Sequence, residues 1–289
     1  MSPNHRDPSR RDFLKLAAGG VAAAALPAFR PAPAGSKIPI ATQMWVVRKE
    51  AKTDLPGVLR ALSRIGFQGV ELADEYFGHS PKEIRRMLDD NGLRALGNHV
   101  FLESLLGEQL ERTVELNQTL GARDLIVRSL KKEQYASKDA VVRLAGQLNE
   151  IAERLEPYAM RTGFHNHAEI FTRHGGEMAW NILADHTRAD VVLQLDTGNA
   201  MHSRVPVDVV ELLRRNPGRT DSTHIKPFSR TDPAAYVGRD ELDWKRILRL
   251  METTAGTEWY IIEYEVEGPP PLEALRDNLA AFRELLAAV

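Results

Sequence analysis

Hydrophobic and polar positions alternate along the chain between two patterns. Short runs of consecutive apolar residues are followed by longer stretches in which apolar residues return every three or four positions. The stretch from Lys138 to Tyr158 shows the longer pattern best, because its apolar residues form one stripe along a helix. Those residues are Val141, Leu144, Ala145, Leu148, Ile151, Ala152 and Leu155. The alternation therefore predicts strands that are each followed by an amphipathic helix.

This pair of elements occurs eight times after Gly35. The short runs predict strands at residues 38–43, 69–72, 94–99, 124–128, 162–167, 191–195, 220–225 and 259–262. The periodic stretches predict helices at residues 55–65, 81–91, 103–120, 138–158, 178–184, 207–213, 242–251 and 271–286. The second helix also has Ser80 as its N-cap, Pro81 in its first turn and Gly92 as its stop.

Strands that alternate with helices predict a parallel sheet, and eight such units in a chain of this length predict an α/β fold, the (β/α)8 TIM barrel. The main alternative is an open doubly wound sheet, which would need a glycine-rich phosphate-binding turn after an early strand. The sequence contains neither G-x-G-x-x-G nor a P-loop. No shift in composition marks a second domain, so we expect one domain over residues 35–289.

Residues 1–34 follow a different pattern. Arg10 and Arg11 precede an apolar run over residues 16–26, and Ala32 and Ala34 form an A-x-A site. This order is typical of an export signal, and the arginine pair resembles the signal of the folded-protein export pathway of bacteria. The run is shorter than the roughly 20 residues that span a bilayer. We expect a periplasmic protein that meets the export machinery and keeps no membrane span after cleavage; an uncleaved anchor is the alternative.

Composition narrows the chemistry. The chain has no cysteine, which excludes disulfides, thiolate zinc sites, iron–sulfur clusters and cysteine nucleophiles. Its formal net charge is −2, and the 255 residues after residue 34 carry 33 basic and 38 acidic residues, a charge of −5. This balance gives no electrostatic reason to expect nucleic acid or an anionic membrane as a partner. A bound metal would need His, Asp, Glu, Asn or backbone oxygen ligands.

Polar residues follow the apolar run of seven of the eight predicted strands. Each alone could be a helix cap, an ion-pair partner or a turn residue. A barrel, however, gathers the carboxyl ends of its strands around one active site, so we expect these side chains to converge. They are Glu71, Asn98, His99, Arg128, His165, Asn166, His167, Asp196, Asn199, His224, Lys226 and Glu263.

This set predicts a divalent metal. Carboxylates and imidazoles without thiolate suit manganese, cobalt, zinc, iron or magnesium. Carboxylates that are buried together are unfavourable unless a cation neutralises them. His165 and His167 are two positions apart in a strand, so both can face the barrel mouth.

The motifs resemble those of the xylose isomerase-like TIM barrels, also called the sugar phosphate isomerase/epimerase family. They are Phe164-His165-Asn166-His167, Leu195-Asp196-Thr197-Gly198-Asn199, Thr223-His224-Ile225-Lys226, Asp243-Trp244 and Ile262-Glu263. The resemblance implies one divalent metal ion held by His165, Asp196, His224 and Glu263. Epimerase members usually carry Glu in place of His165 and often His in place of Asn199. Proton exchange between two carboxylates is therefore not carried over, and whether His165 or His167 is the ligand stays open.

The resemblance implies enediolate chemistry on a hydroxy-ketone, with the metal as Lewis acid and a general base that takes the α proton. Reprotonation gives isomerisation or epimerisation, which is the activity that we expect. Loss of a β substituent, the alternative, gives dehydration or lyase chemistry on a keto-sugar or inosose. The His-x-His form looks like the inosose dehydratase and keto-sugar lyase branch. The predicted catalytic residues are Glu263, His167 and Lys226. The predicted substrate-binding residues are Glu71, His99, Asn199 and Arg128.

The export signal favours a free sugar, keto-sugar or cyclitol over a sugar phosphate as substrate. A non-catalytic sugar-binding barrel is the alternative from another functional class. Related barrels include an apurinic endonuclease group, but that group needs a multi-metal cluster and a basic face, against which the charge of −5 argues. A homodimer is left open.

Overall fold

Eight parallel strands form a closed barrel in the computed structural model, which describes residues 38–266 and 268–288. The predicted signal at residues 1–34 lies outside the described residues. The strands are β1 (Ile40–Gln43), β2 (Gly69–Leu72), β3 (Arg94–Val100), β4 (Asp124–Val127), β5 (Arg161–His165), β6 (Val192–Asp196), β7 (Ser222–Ile225) and β8 (Trp259–Ile262). Each strand pairs with its neighbours in sequence, and β8 pairs with β1. The predicted (β/α)8 TIM barrel is confirmed.

Helices follow the strands. They are α1 (Arg48–Ile65), α2 (Pro81–Asp90), α3 (Gln109–Leu120), α4 (Lys138–Leu155), α5 (Ala179–His186), α6 (Thr197–Met201), α7 (Val209–Arg215), α8 (Trp244–Thr253) and α9 (Pro271–Ala287). The predicted stripe of α4 is buried against the barrel. The predicted start of α2 is present as a capping box, in which Ser80 and Glu83 each accept a hydrogen bond from the other's backbone N–H. Among the described residues, no helix has the length and apolarity that a membrane crossing requires.

Two helices differ from their predicted bounds for visible reasons. Helix α1 begins before the predicted residue 55 because two helical segments meet at Asp54, whose backbone is not helical. The Asp54 side chain accepts a hydrogen bond from the Gly57 N–H and so caps the second segment, the one that was predicted. The predicted helix 103–120 is divided because Gly107 adopts a left-handed conformation (φ 55°) between the short 3-10 helix Leu102–Leu105 and α3.

Loops at the carboxyl ends of the strands add small elements that the hydrophobic pattern did not predict. Helix α6 begins directly after β6. A short hairpin joins Arg173–His174 to Glu177–Met178 after β5. Both elements follow strands at the carboxyl end of the barrel, where the predicted site lies.

The opposite end of the barrel holds a network of ion pairs that we call the amino-end cluster: Arg123, Asp124, Arg161, Asp221 and Glu258. Arg161 binds Asp124 with two hydrogen bonds of 2.9 and 3.0 Å, and its Nη1 lies 2.9 Å from Asp221 Oδ1. Arg123 Nη2 lies 2.5 Å from Glu258 Oε2. This cluster joins the starts of β4, β5, β7 and β8.

Candidate metal centre and active site

Four neighbouring strands bring one side chain each to the carboxyl end of the barrel. These are His165 of β5, Asp196 of β6, His224 of β7 and Glu263, which follows β8. One nitrogen or oxygen atom of each lies within 4.8 Å of the others, and all four side chains are buried. We call these four residues the ligand cluster. It contains the four metal ligands that the resemblance implies.

One carboxylate oxygen of the ligand cluster is orphaned. Asp196 Oδ1 accepts a hydrogen bond from the Asn199 N–H (2.7 Å) at the start of α6, but Oδ2 has no hydrogen-bond partner among the described residues. Oδ2 lies 4.0 Å from His165 Nε2 and 3.9 Å from His224 Nδ1. Two ligand atoms bound roughly 2.0–2.2 Å from one ion lie at most about 4.4 Å apart, so these spacings fit a shared ion. Burial raises the pKa of Asp196 to about 6, which a cation would reverse.

His224 lies between two carboxylates. Its Nδ1 is 2.7 Å from Glu263 Oε2, and its Nε2 is 2.7 Å from Glu71 Oε2. Burial alone would lower the pKa of His224, but Glu71 and Glu263 outweigh burial and raise it to about 10. Nδ1, the nitrogen that faces the ligand cluster, therefore carries a proton toward Glu263. Loss of this proton would give Nδ1 the lone pair that a metal ion needs.

Glu71 lies beneath the histidines and is fully buried. Its Oε2 accepts hydrogen bonds from His224 and from Gln43 Nε2 (2.7 Å) and lies 3.0 Å from His99 Nε2. Its Oε1 accepts a hydrogen bond from Gln194 Nε2 (2.7 Å). Burial alone would raise the pKa of Glu71, but His99 and His224 hold it well below its usual range. Glu71 is thus an anion in contact with the ligand cluster from below and does not line the cavity above it.

Gln194 sets the orientation of His165. Its amide nitrogen donates to Glu71 and to Ser222 Oγ (2.8 Å), so its oxygen faces His165 Nδ1 (3.0 Å). An amide oxygen only accepts, so Nδ1 carries the proton and Nε2 offers its lone pair toward Asp196. Burial, together with the nearby His224 and His99, lowers the pKa of His165 well below its usual value and favours this neutral form.

A cavity of about 380 Å³, which we call the first cavity, opens above the ligand cluster. Seven of the predicted site residues line it, whereas Glu71, Asp196 and His224 are buried below. The full lining comprises Gln43, Trp45, Ala73, His99, Arg128, Ser129, His165, His167, Asn199, Lys226, Glu263 and Glu265.

His167 lies in the wall of the first cavity, outside the ligand cluster. Its ring is exposed and meets the His165 ring edge-on at a centroid distance of 5.1 Å. Burial of its flanks lowers the pKa of His167, although Glu263 opposes the shift. The two histidines that the sequence left as alternative ligands are thus separated. His165 faces Asp196, while His167 is a neutral imidazole open to the cavity.

Lys226 supplies the positive charge beside the ligand cluster. Its Nζ lies 2.7 Å from Glu263 Oε1, 3.4 Å from Glu265 Oε2 and 4.0 Å from Asp196 Oδ2. Burial alone would lower the pKa of Lys226, but Glu263 and Asp196 raise it above its usual value. Lys226 is therefore an ammonium group that can donate a hydrogen bond to a ligand oxygen.

Arg128 stands at the mouth of the first cavity between two aromatic rings. Its guanidinium lies 4.0 Å from the ring centre of Phe101 and 5.7 Å from that of Trp45. Among the described residues, Trp45 and Phe101 are the large apolar side chains that stay exposed, at 38% and 42%. One Arg128 nitrogen donates to the Ala73 carbonyl (3.3 Å). The guanidinium is thus held against aromatic faces at the mouth.

Three buried amide residues of the site were absent from the predicted set of metal and substrate contacts. Gln43 and Gln194 hold Glu71, and the Asn166 side chain pairs with the backbone of Asp196 through hydrogen bonds of 2.8 and 3.1 Å. Strand periodicity could have found Gln194, which is two positions before Asp196 and shares its face. Gln43 is the last residue of the predicted strand 38–43, the one predicted strand whose carboxyl end has no predicted site residue.

Comparisons with known proteins agree with the fold and the signal. The family described as xylose isomerase-like TIM barrel matches residues 59–285. The signal sequence of the twin-arginine translocation pathway matches residues 7–27, so the N-terminus points to export across the membrane.

One curated relative is named as a dehydratase, which is a lyase. The chain is 26% identical over 245 residues to a 3-dehydroshikimate dehydratase of Pseudomonas aeruginosa. The match covers 78% of this chain and 37% of that protein, so the chain spans little more than a third of the relative's length.

Solved structures share the fold. A sugar phosphate isomerase/epimerase from Parabacteroides distasonis superposes with a TM-score of 0.75 at 19% identity, covering 87% of this chain and 96% of that one. An L-ribulose 3-epimerase superposes with a TM-score of 0.65 at 13% identity, covering 87% and 95%. At these identities the likeness shows the barrel and not the substrate.

Proposed function

Because the chain belongs to the xylose isomerase-like TIM barrel family, a family of sugar isomerases and epimerases, we propose that it is a divalent-metal-dependent enzyme acting on a free sugar, keto-sugar or cyclitol. The observation that carries the proposal is the orphaned Asp196 Oδ2, buried beside His165 Nε2 and His224 Nδ1 at 4.0 and 3.9 Å. A buried carboxylate oxygen without a hydrogen bond is costly, and an ion between these atoms would satisfy it.

The ligand cluster would hold the ion. Its set of two imidazoles and two carboxylates without sulfur suits manganese, zinc, cobalt or iron, and magnesium less well because magnesium prefers oxygen. When bound, the metal would polarise the oxygens of a hydroxy-ketone as a Lewis acid. We assign Glu71 to fixing His224 through the Nε2–H hydrogen bond, rather than to the substrate contact expected from the sequence, because Glu71 is buried away from the cavity.

The residues of the first cavity would move the protons. His167 is a neutral imidazole in the cavity wall and would take the proton from the carbon next to the carbonyl. Lys226 would donate a hydrogen bond to the oxygen on which negative charge develops. His99, Asn199 and Arg128 line the cavity and would position the substrate hydroxyl groups. Glu263 is the alternative base, although its contacts with Lys226 and His224 tie it to the ligand cluster.

The fate of the abstracted proton separates two reactions. Return of the proton to carbon gives isomerisation or epimerisation. Transfer of the proton to a departing hydroxyl or alkoxide group on the β carbon gives dehydration or lyase chemistry, with water or an alcohol as the second product. The relative named as a dehydratase favours the second reaction, as does the presence of one free imidazole base in place of two opposed carboxylates. The signal sequence favours a periplasmic substrate without a phosphate group.

Metal analysis followed by a substrate screen tests this proposal. Protein purified without chelator from its own cell envelope should contain about one divalent metal ion per chain and convert at least one keto-sugar or inosose. Chelation should abolish turnover, and return of the metal should restore it. Protein that binds no divalent metal, or that binds sugars with metal and never converts them, would refute the enzymatic proposal; the second result would identify a sugar-binding barrel. An unsaturated or shorter product would assign the lyase reaction, and a stereoisomer would assign the epimerase reaction.

A further inference from the structure

A second cavity of about 240 Å³ lies next to the first one. It is formed by Phe164 of β5 and by the loops that follow β4 and β5. Its lining comprises Ser129, Leu130, Tyr135, Phe164, His167, Glu169 and Ile170. Ser129 and His167 line both cavities and so form their shared boundary. A ligand that reaches from one cavity to the other must therefore pass the side chain to which we assign proton transfer.

The size of the second cavity fits part of a ligand. Sites for whole small molecules occupy about 300–1,000 Å³. The second cavity falls below this range, whereas the first cavity, at about 380 Å³, lies at its lower end. Taken together, the two volumes suit a molecule of two rings, with the His167 side chain beside the junction.

The two cavities differ in charge. The first cavity has Arg128 and Lys226 in its wall, but the lining of the second has no Arg or Lys, and Glu169 is its one carboxylate. Leu130, Phe164 and Ile170 supply apolar surface, and Tyr135 adds an aromatic ring. An anionic group would meet Glu169 without a compensating cation, so the lining suits an uncharged ring with one apolar face.

The outer wall of the second cavity is braced. His174 Nε2 donates to the backbone carbonyl of Tyr135 (2.8 Å), which ties the hairpin after β5 to the loop after β4. Lys138 forms an ion pair with Glu177 of the same hairpin. Phe164 and Ile170 are buried at 2% exposure, so the cavity floor is packed. A preformed cavity of this kind binds its ligand without first ordering a loop.

We propose that the second cavity is a subsite for an uncharged, ring-sized substituent of the substrate. The substrate would then be a conjugate of one of the proposed sugars rather than the free sugar itself, such as a glycoside or an aryl-substituted sugar. Its reacting ring would lie over the ligand cluster while its substituent enters the second cavity. This inference rests on the proposed function for the placement of the reacting ring. It adds the class of substrate that the site selects.

Paired ligands test the subsite. The probes are glucose, galactose and mannose, each as the free hexose and as its phenyl glycoside, titrated against metal-loaded protein and followed by saturation-transfer NMR. In at least one pair the phenyl glycoside should bind about tenfold more tightly than the free hexose, with the strongest saturation on the phenyl ring. Equal or weaker binding of all three phenyl glycosides would overturn the subsite.

Leu130→Trp should fill the second cavity and abolish the gain from the phenyl group, with the affinity for the free hexose unchanged within about twofold. Leu242→Trp is the matched control, because Leu242 is also partly buried in a loop at this end but lines neither cavity. It should keep the gain. Equal loss of the gain in both variants would count against the subsite.

Glu169→Gln tests the charge of the second cavity at a side chain that is exposed. A 4-carboxyphenyl glycoside should bind more weakly than the phenyl glycoside to the parent protein, and the variant should reduce this difference several-fold. An unchanged difference would place the aryl group elsewhere and overturn the subsite. Metal-dependent turnover without any gain from the ring would refute the subsite alone, whereas a gain in protein that binds no metal would refute only the enzymatic proposal.

Discussion

The two ends of the barrel each bring carboxylates and cations together, but they pair the carboxylates with different kinds of cation. In the amino-end cluster, three carboxylates meet two arginines, and Arg161 binds Asp124 through both oxygens. In the ligand cluster and its floor, the carboxylates of Asp196, Glu263 and Glu71 meet imidazoles and one lysine. The first arrangement satisfies both Asp124 oxygens, and the second leaves Asp196 Oδ2 without a hydrogen bond.

The difference lies in the chemistry of the cations. A guanidinium has no lone pair and does not lose its proton in proteins, so arginine neutralises a carboxylate permanently and cannot bind a metal ion. An imidazole can exchange its proton for a metal ion at the same nitrogen. We therefore expect the arginine end to stabilise the fold, and we expect the histidine end to bind the metal ion of the proposed function. The predictions below break or sharpen this contrast.

Asp196→Asn should have the largest effect. It removes the negative charge from the orphaned oxygen but keeps a side chain that can cap α6, so the barrel should fold. We expect loss of stoichiometric metal and a fall in turnover on the order of a thousandfold, because a Lewis acid contributes several kcal/mol to such reactions. Metal analysis and turnover with a substrate found in the screen measure this. Asp221→Asn at the other end is the control and should retain metal; full metal content in Asp196→Asn would refute the assignment.

Arg161→Met should separate stability from metal binding. The change removes the two-bond partner of the buried Asp124 and leaves it the longer contact with Arg123 Nε (3.3 Å). Breaking a buried ion pair in this way costs about 3 kcal/mol of unfolding free energy, the lower end of the usual range because Arg123 remains. Denaturant unfolding measures the loss, and titration of the folded variant with metal should give the parent affinity. A matching drop in metal affinity would show that the two ends are coupled.

Glu71→Gln should weaken metal binding without exposing a new surface. The amide keeps the size of the side chain but loses the charge that orients His224, and changes of this type lower metal affinity about 10–100-fold. Competition with a chromophoric chelator measures the affinity. Glu258→Gln in the amino-end cluster is the matched control and should bind metal as the parent does. Equal affinities for Glu71→Gln and the parent would mean that Glu71 does not position His224.

Asp221→Asn should have the smallest effect on stability, and the size of this effect depends on pH. Burial raises the pKa of Asp221 in the folded protein. Arg161 lowers this pKa, but Asp124 and Glu258 raise it and offset the effect of Arg161. The folded state therefore binds this proton more readily than the unfolded chain does, and the parent loses stability as pH rises from about 3.9, the ordinary value, through the raised pKa. Asparagine lacks this dependence. The unfolding free energy of the variant relative to the parent should thus be higher near pH 7 than near pH 3; the reverse trend would show that the Arg161 contact dominates.

Hydrophobic periodicity predicts the barrel well because each strand and helix faces the same core, so burial alone sets the pattern. Strands β2 and β8 have the predicted bounds. Hydrophobic periodicity does not predict short features that depend on a single side chain or glycine. The Asp54 cap divides α1, Gly107 divides a predicted helix, and α6 begins where Asp196 caps it.

The sequence predicts which residues belong to the candidate site better than it predicts how deep in the barrel each one lies. The resemblance names the four residues that the structure gathers into the ligand cluster. The sequence cannot show depth, which is why Glu71 was expected at the substrate and lies instead under His224. Depth depends on which strand residue points inward at each level of the barrel, and this is set by the stagger between strands.

Asn166 shows how the spacing of the ligand cluster is held. The backbone pairing between β5 and β6 ends at His165 and Gln194. Beyond it, the Asn166 side chain accepts a hydrogen bond from the Asp196 N–H and donates one to the Asp196 carbonyl, as a backbone peptide group would. An aspartate at this position would turn a carboxylate oxygen against the Asp196 carbonyl, and the two strand tips would part. Fewer substitutions should therefore be tolerated at the barrel mouth than the set of metal ligands alone suggests. Asn166 is assigned to neither metal nor sugar, yet it sets the distance between two of the ligands.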